Sequence, residues 1–302
     1  MKNVTKILTT VVLCAAVFAS TQRTDALGGN AAFWPDDEAN IAAFPANINN
    51  HGFVQVTGMG SAAGSVDMVF ESGDHNWGLG FSNDGGTWFD LGWGNGSNMG
   101  INIAMKAADD ANGDESNGFM LSYGNSDVFG GNLGFHYTSG DDAGTDWTAN
   151  GMEIHYAKSG CDCWVFSNMV AELDSPDEGD MTLDLDFWGN MGDGAATVMF
   201  AMGVEYDAAD SGIRNTANLG LEVDVTSNVT LRGGMEWGYD LSNDGDTTGA
   251  NGYAWTTGAG VNMGAFNADF TLGSGFWDNP LGWVSGEDDD AAWGACTVTY
   301  NF

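Results

Sequence analysis

Histidine is the side chain best suited to proton transfer near neutral pH, and this sequence has four: His51, His75, His136 and His155. His136 and His155 fall on the polar faces of two neighbouring alternating segments, with Glu153 two positions before His155. A hydrolase would need a nucleophile as well, and no Gly-x-Ser-x-Gly stretch accompanies them. Catalysis is therefore not expected, and no catalytic residue is assigned.

Cys161-Asp162-Cys163 has no second pair of the kind that completes a structural zinc site. With Cys296 these leave an odd number of thiols beyond Cys14, and the ring of a Cys-x-Cys bridge would be strained, so disulfide status stays open. No metal site or cofactor is expected. The runs Asp109-Asp110-Ala111-Asn112-Gly113-Asp114 and Ser242-Asn243-Asp244-Gly245-Asp246 have calcium-like composition without the EF-hand pattern. Weak Ca2+ or Mg2+ binding at such acidic loops remains open beside plain solvated turns.

Carboxylates dominate the chemistry. There are 42 acidic residues against 7 basic ones, a net charge of −35. That surface repels phosphate, so nucleic acid is excluded as a partner. Many of these acids sit at alternate positions among apolar residues: Glu153, Asp184, Asp186, Glu205, Glu222, Asp224, Glu236 and Asp269, with Arg232 and Lys106 as the few bases on the same faces. A wall lined by one sign of charge gathers counter-ions and turns away anions. The bland alternative is that these groups pair through water and cations inside a filled barrel.

The elements that must position them are strands. In Met181 to Trp188 one face is Met, Leu, Leu, Phe and the other Thr, Asp, Asp, Trp; no helix of that pattern would have an apolar side. Leu219 to Thr226, Val229 to Trp237 and Phe266 to Leu272 repeat the rhythm, and weaker copies precede them. Gly 46 against Pro 4, with many aromatics, disfavours helices. Connections alternate in length. Asn190 to Ala195, Thr226 to Asn228 and Asn262 to Gly264 are short; Asp207 to Ala217, Tyr239 to Gly252 and Gly273 to Ala292 are long. Short inner turns opposite long outer loops are the habit of bacterial barrels, and strands of about nine to eleven residues fit a tilted crossing.

The ends of the chain agree. Lys2 and Lys6, the apolar Ile7 to Phe18 and a small-residue site near Ala19 read as a signal peptide over residues 1–20; Leu13 before Cys14 argues against a lipid anchor. Val298, Tyr300 and Phe302 alternate at the other end. They resemble the C-terminal strand signature that the barrel assembly machinery of outer membranes reads. Trp237, Tyr253, Trp255 and Tyr300 fall where lipid-facing girdles would be. The expectation is an all-β, transmembrane, antiparallel up-and-down β-barrel over residues 51–302. It would stand in the bacterial outer membrane, in contact with lipid and lipopolysaccharide. Roughly sixteen segments from His51 onward are candidate strands, several of them weak.

Residues 21–50 precede the first strand. Ala26-Leu27-Gly28-Gly29, Asp36-Asp37 and Pro45-Ala46 stand at intervals that resemble the N-terminal segment of the long-chain fatty-acid transporter superfamily of outer-membrane barrels. Phe44 stands where that family carries Asn. The resemblance implies a hatch-like segment inside the barrel, with Gly28, Gly29, Asp36, Asp37, Pro45 and Ala46 as its motif. It also implies about fourteen strands (a range of roughly twelve to sixteen) and passive transport of small solutes, hydrophobic ones among them. Without it, Gly28-Gly29 permits tight turns, Asp36-Asp37 would cap a short helix from near Glu38, and Pro45 would end it. Two other functions fit the same pattern: a cation-preferring diffusion porin, and a structural or surface-interaction barrel without transport.

Overall fold

The computed structural model describes residues 21–59, 64–82, 87–109, 115–141, 151–163, 166–175, 181–192, 194–208, 212–241, 252–272 and 293–302. The leader expected at 1–20 and both calcium-like runs, apart from Asp109, lie outside the described residues, as do the side chains of Lys106, Cys161 and Cys163.

The alternating segments form β1 (Phe53–Met59), β2 (Ser65–Ser72), β3 (His75–Ser82), β4 (Thr87–Gly94), β5 (Met99–Asp109), β6 (Glu115–Val128), β7 (Gly131–Asp141) and β8 (Gly151–Cys163). The second half continues with β9 (Phe166–Ser175), β10 (Thr182–Gly192), β11 (Ala196–Asp207), β12 (Gly212–Thr226), β13 (Val229–Asp240), β14 (Gly252–Met263), β15 (Phe266–Leu272) and β16 (Trp293–Asn301). Each pairs antiparallel with its neighbours in sequence, and β1 pairs with β16 from Phe53↔Asn301 onward, which closes the barrel.

The described residues thus hold sixteen strands rather than about fourteen. They run from 7 to 15 residues, a wider spread than the expected length. The weak early segments all form strands of the barrel. There the inward positions of β3 and β4 include Gly78, Gly80, Gly92 and Gly94, which dilute the alternation of types while keeping the pleat.

All tight connections fall at the end of the barrel that carries Phe53 and Asn301, called here the turn end; the opposite, loop end carries the wider ones. One expected length is corrected. The connection after Asp207 reaches only to Gly212, because Ile213, Arg214 and Asn215 pair with Tyr206, Glu205 and Val204.

Period two sorts the side chains. On β12 Leu219 and Leu221 are exposed on the outer wall while Glu222 is buried, and on β13 Leu231 and Met235 are exposed while Arg232 is buried. Trp237, Tyr253, Trp255 and Tyr300 are exposed on the outer wall, as their positions suggest.

Before β1 the chain runs through α1 (Thr21–Ala26), a 3-10 turn (Ala31–Phe33), α2 (Asn40–Ala43) and a second 3-10 turn (Pro45–Asn50). Gly28 and Gly29 have φ of +105° and +85°, a region closed to most side chains, and they turn the chain sharply after α1. The Asn30 side chain then accepts from the Ala32 N–H at 2.9 Å and starts the first 3-10 turn. Asp37 accepts from the Ala39 N–H at 2.9 Å, α2 begins at Asn40 rather than near Glu38, and Pro45 opens the next turn rather than merely ending a helix.

Candidate functional site

Residues 21–50 pack against inward-facing positions around the barrel wall. Leu27, Phe33, Trp34 and Phe44 form one buried cluster with Val170, Trp188, Met199 and Ala201. Ile48 packs with Phe53 and Val69 on the other side. The fit depends on missing side chains. A β-carbon at Gly100 would collide with the Pro45 carbonyl oxygen, one at Gly134 with the Ala43 carbonyl oxygen, and one at Gly258 with the Ala26 methyl. One at Gly92 would come within 2.8 Å of Ile48 Cδ1 and one at Gly220 within 2.9 Å of the Trp34 ring. The inner backbone lies where strand side chains would otherwise stand.

An ion-pair cluster ties this segment to the wall near the turn end. Arg23 donates two hydrogen bonds to the Glu222 carboxylate, Nε to Oε1 at 3.0 Å and Nη2 to Oε2 at 2.8 Å. Arg232 donates from Nε to Glu222 Oε1 at 2.8 Å and from Nη1 to Asp269 Oδ1 at 2.6 Å. The second bond crosses a strand, because Gly260 on β14 leaves the space that Arg232 and Asp269 share. Arg23 Nη1 also reaches Asp37 at 3.4 Å, and its guanidinium lies 5.0 Å from the Trp34 ring centre.

These groups are all buried. Burial pushes the Asp37 carboxyl up to about 7, against the pull of Arg23. Burial and the neighbouring Asp37 hold Glu38 well above the carboxylate range. Glu38 Oε1 accepts from Gln55 Nε2 at 2.7 Å, which also donates to Thr299 Oγ1 at 3.0 Å. For Arg23 burial opposes the charge, but the bonded Glu222 more than offsets it and the guanidinium stays protonated.

Toward the loop end lies a cavity of about 480 Å³. Its acid wall is Glu172, Asp184, Asp186, Glu205 and Glu236; its floor is the inner segment at Gly28 to Ala32, Asn40, Ala43 and Phe44. Glu205 faces Arg214 at 3.3 Å and Asp186 accepts from Thr216 Oγ1 at 3.1 Å. His155 lies between two carboxylates, Nε2 at 3.4 Å from Glu153 and Nδ1 at 3.5 Å from Glu172. His136 Nδ1 and Nε2 meet Ser122 Oγ at 2.8 Å and the Ala43 carbonyl at 3.0 Å. The two imidazoles are 5.1 Å apart; His136, bonded to the buried Ser122 hydroxyl, holds the inner segment, and His155 lines the cavity.

The expected lumen residues therefore divide. Asp184, Asp186 and Glu236 line the cavity and Glu153 stands beside it. Glu222, Arg232 and Asp269 do not face an open lumen, because the inner segment covers them. Asp224 is exposed near the turn end and accepts from Thr230 Oγ1 at 2.6 Å. In the N-terminal motif Asp37, Pro45 and Ala46 are buried, whereas Asp36 is exposed. Thr297 and Thr299 are buried on the inner face of β16, Tyr300 and Phe302 are exposed, and Cys296 is a buried free thiol.

Sequence reasoning missed Arg23, Asn40 and Asn218. Arg23 carried one signal: the chain has few bases, and this one precedes the motif by three residues.

No family model and no curated protein matches the chain. Among solved structures it is similar to a mutant porin of Rh. blastica, at 12% identity over 83% of this chain and 99% of that one, with a TM-score of 0.42. It is also similar to a bacterial polysaccharide outer membrane secretin (10%, 83% and 97%, TM-score 0.47). A third is the Pseudomonas putida toluene transporter TodX (9%, 95% and 99%, TM-score 0.43). Likenesses this distant leave the functional reading to the chain's own residues.

Proposed function

We propose that this protein is an outer-membrane barrel for passive passage of small solutes, closed at rest by residues 21–50 acting as a plug. The outer wall supports the membrane placement. Phe81, Ile103, Met105, Phe119, Leu121, Leu183, Leu219, Leu221, Leu231 and Met235 are all exposed on it. A soluble protein rarely leaves so broad an apolar band to water, whereas lipid covers one. A closed barrel leaves no sheet edge, the condition for spanning with strands.

The single observation that carries passage is the pairing of an acid-walled cavity with a floor that belongs to no strand. That floor is a separate stretch of chain, held by side chains and close contacts rather than by strand pairing. A barrel serving only as scaffold has no need of either. The carboxylates favour cations and disfavour anions in whatever passes.

Proteoliposomes test the reading. Vesicles bearing a barrel that lacks residues 21–50 should swell in small cationic and neutral solutes faster than vesicles bearing the intact chain. Equal, leak-level swelling from both folded proteins would reject passage and leave a structural barrel.

A further inference from the structure

We propose that the cavity above the plug binds a small organic cation: an ammonium or guanidinium group on a short hydrocarbon body. The inference names a solute class for the passage proposed above and rests on that reading.

Three features of the cavity point to this chemistry. The first is charge. Five carboxylates line it against Arg214, whose ion pair is with Glu205, and His155, which lies between Glu153 and Glu172. Among the described residues Asp184 and Glu236 make no hydrogen bond or ion pair, so two carboxylates are left for a ligand. The second feature is independent of charge. Asn218 and Asn40 also line the cavity, at 9% and 1% exposure, and the side-chain oxygen of each has no hydrogen-bond partner. The Asn40 amide nitrogen donates to the carbonyls of Ala31 and Trp34 at 2.9 and 2.7 Å, which fixes its oxygen as the atom left over. A buried acceptor without a donor is unfavourable, and a bound N–H group relieves it.

The third feature separates an organic cation from a metal ion. Among the described residues no three His, Cys, Asp or Glu side chains converge closely enough to hold a metal. The acids are spread around a space of about 480 Å³, within the usual range for small-molecule pockets. Ala31, Ala32, Val170 and Phe44 supply apolar lining for a hydrocarbon body. An anion would meet the acids, and a purely hydrophobic solute would leave both asparagines and the acids unpaired.

Calorimetry on the folded full-length barrel in detergent tests this with butane-1,4-diamine as probe. Magnesium chloride at equal ionic strength, butane-1,4-diol and butanedioate are the comparisons. The diamine should bind saturably and the other three should not. The double variant Asp184→Asn, Glu236→Gln should weaken binding at least tenfold, and Asn218→Leu severalfold. Asp224→Asn, outside the cavity, should leave binding unchanged. The heat-dependent gel shift checks that every variant is folded. Displacement of the diamine by magnesium at similar concentration would overturn the proposal in favour of an inorganic cation. Unaltered affinity in the folded double variant, or no saturable binding at all, would overturn it outright. Binding without solute flux in vesicles would uphold the site and reject passage; flux without binding would do the reverse.

Discussion

The two halves of the lumen are walled by the same strands, yet they treat charge in opposite ways. At the turn end Glu222 and Asp269 are buried, and each oxygen that matters meets Arg23 or Arg232 within 3.0 Å. At the loop end Asp184 and Glu236 face a cavity with no partner among the described residues. A few residues along each strand separate these outcomes: on β13, Arg232 from Glu236, and on β12, Glu222 from Thr216. Burial decides between them. Where the inner segment covers the acids, a lone charged carboxylate would be prohibitively unfavourable. Glu222 and Asp269 meet arginines, and burial holds Asp37 and Glu38 toward the neutral form. At the more open cavity wall Asp184 and Glu236 can stand without an ion-pair partner among the described residues.

Breaking the ion pairs at the buried end should have the largest effect. Arg232→Met removes the guanidinium that Glu222 and Asp269 share and leaves Glu222 to Arg23, and breaking a buried pair typically costs about 3–5 kcal/mol. Urea unfolding should show that loss. Arg214→Met at the loop end, where the pair is about one-third exposed, should cost about 0–1 kcal/mol. Equal losses would erase the distinction between the halves.

Next come the glycines beneath the inner segment. Gly100→Val and Gly134→Val should each cost about 1–3 kcal/mol by overpacking. The loss should appear as protease cleavage within residues 21–50 while the barrel keeps its gel shift. Gly233→Ala points outward into space and should leave the segment protected. Cleavage that does not distinguish these sites would mean the close packing does not hold the segment.

A smaller effect should follow pH. The Asp37 carboxyl sits at about 7 when buried and near 3.8 when released, so the docked state binds more protons between those values. Its contribution is full below about 3.8 and is lost as pH rises through about 7; Glu38 acts in the same direction. His51, lowered by burial to about 4, opposes both between about 4 and 6.5 and is neutral above. Hydrogen exchange corrected for intrinsic rates should therefore show residues 21–50 less protected at pH 8 than at pH 6.5. Asp37→Asn should flatten most of that difference. Unchanged protection in the native chain would refute the burial of Asp37 as a proton-binding site.

Much of the architecture was legible in the residues. Met181 to Trp188 alternates by type, so its Asp-bearing face could be assigned inward, and Trp188 with it. The rhythm of short and long connections also survives, apart from the one after Asp207, where Ile213, Arg214 and Asn215 carry no apolar period to announce a strand. The number of strands was within reach, since the candidate segments already numbered about sixteen; the family resemblance drew the expectation to about fourteen. What the sequence concealed is long-range. Arg23 and Glu222 stand 199 positions apart, and nothing local couples them. The glycines at 100, 134 and 258 look like ordinary strand weakeners until the inner backbone is laid across them. The division of the acids into a paired set and an unpaired set depends on that same backbone, so it could not be read from the strands alone.

Current through single molecules in a planar bilayer tests the central claim most directly. The intact chain should be silent or nearly so. A chain lacking residues 21–50 should open steady steps whose reversal potential in a salt gradient favours cations, less so at 1 M, where screening shortens the reach of each charge to about 3 Å. Neutralising Asp184 and Asp186 together should shrink that preference, and Asp224→Asn should not. Intact and truncated proteins with the same conductance would contradict the account, because residues 21–50 would then close nothing.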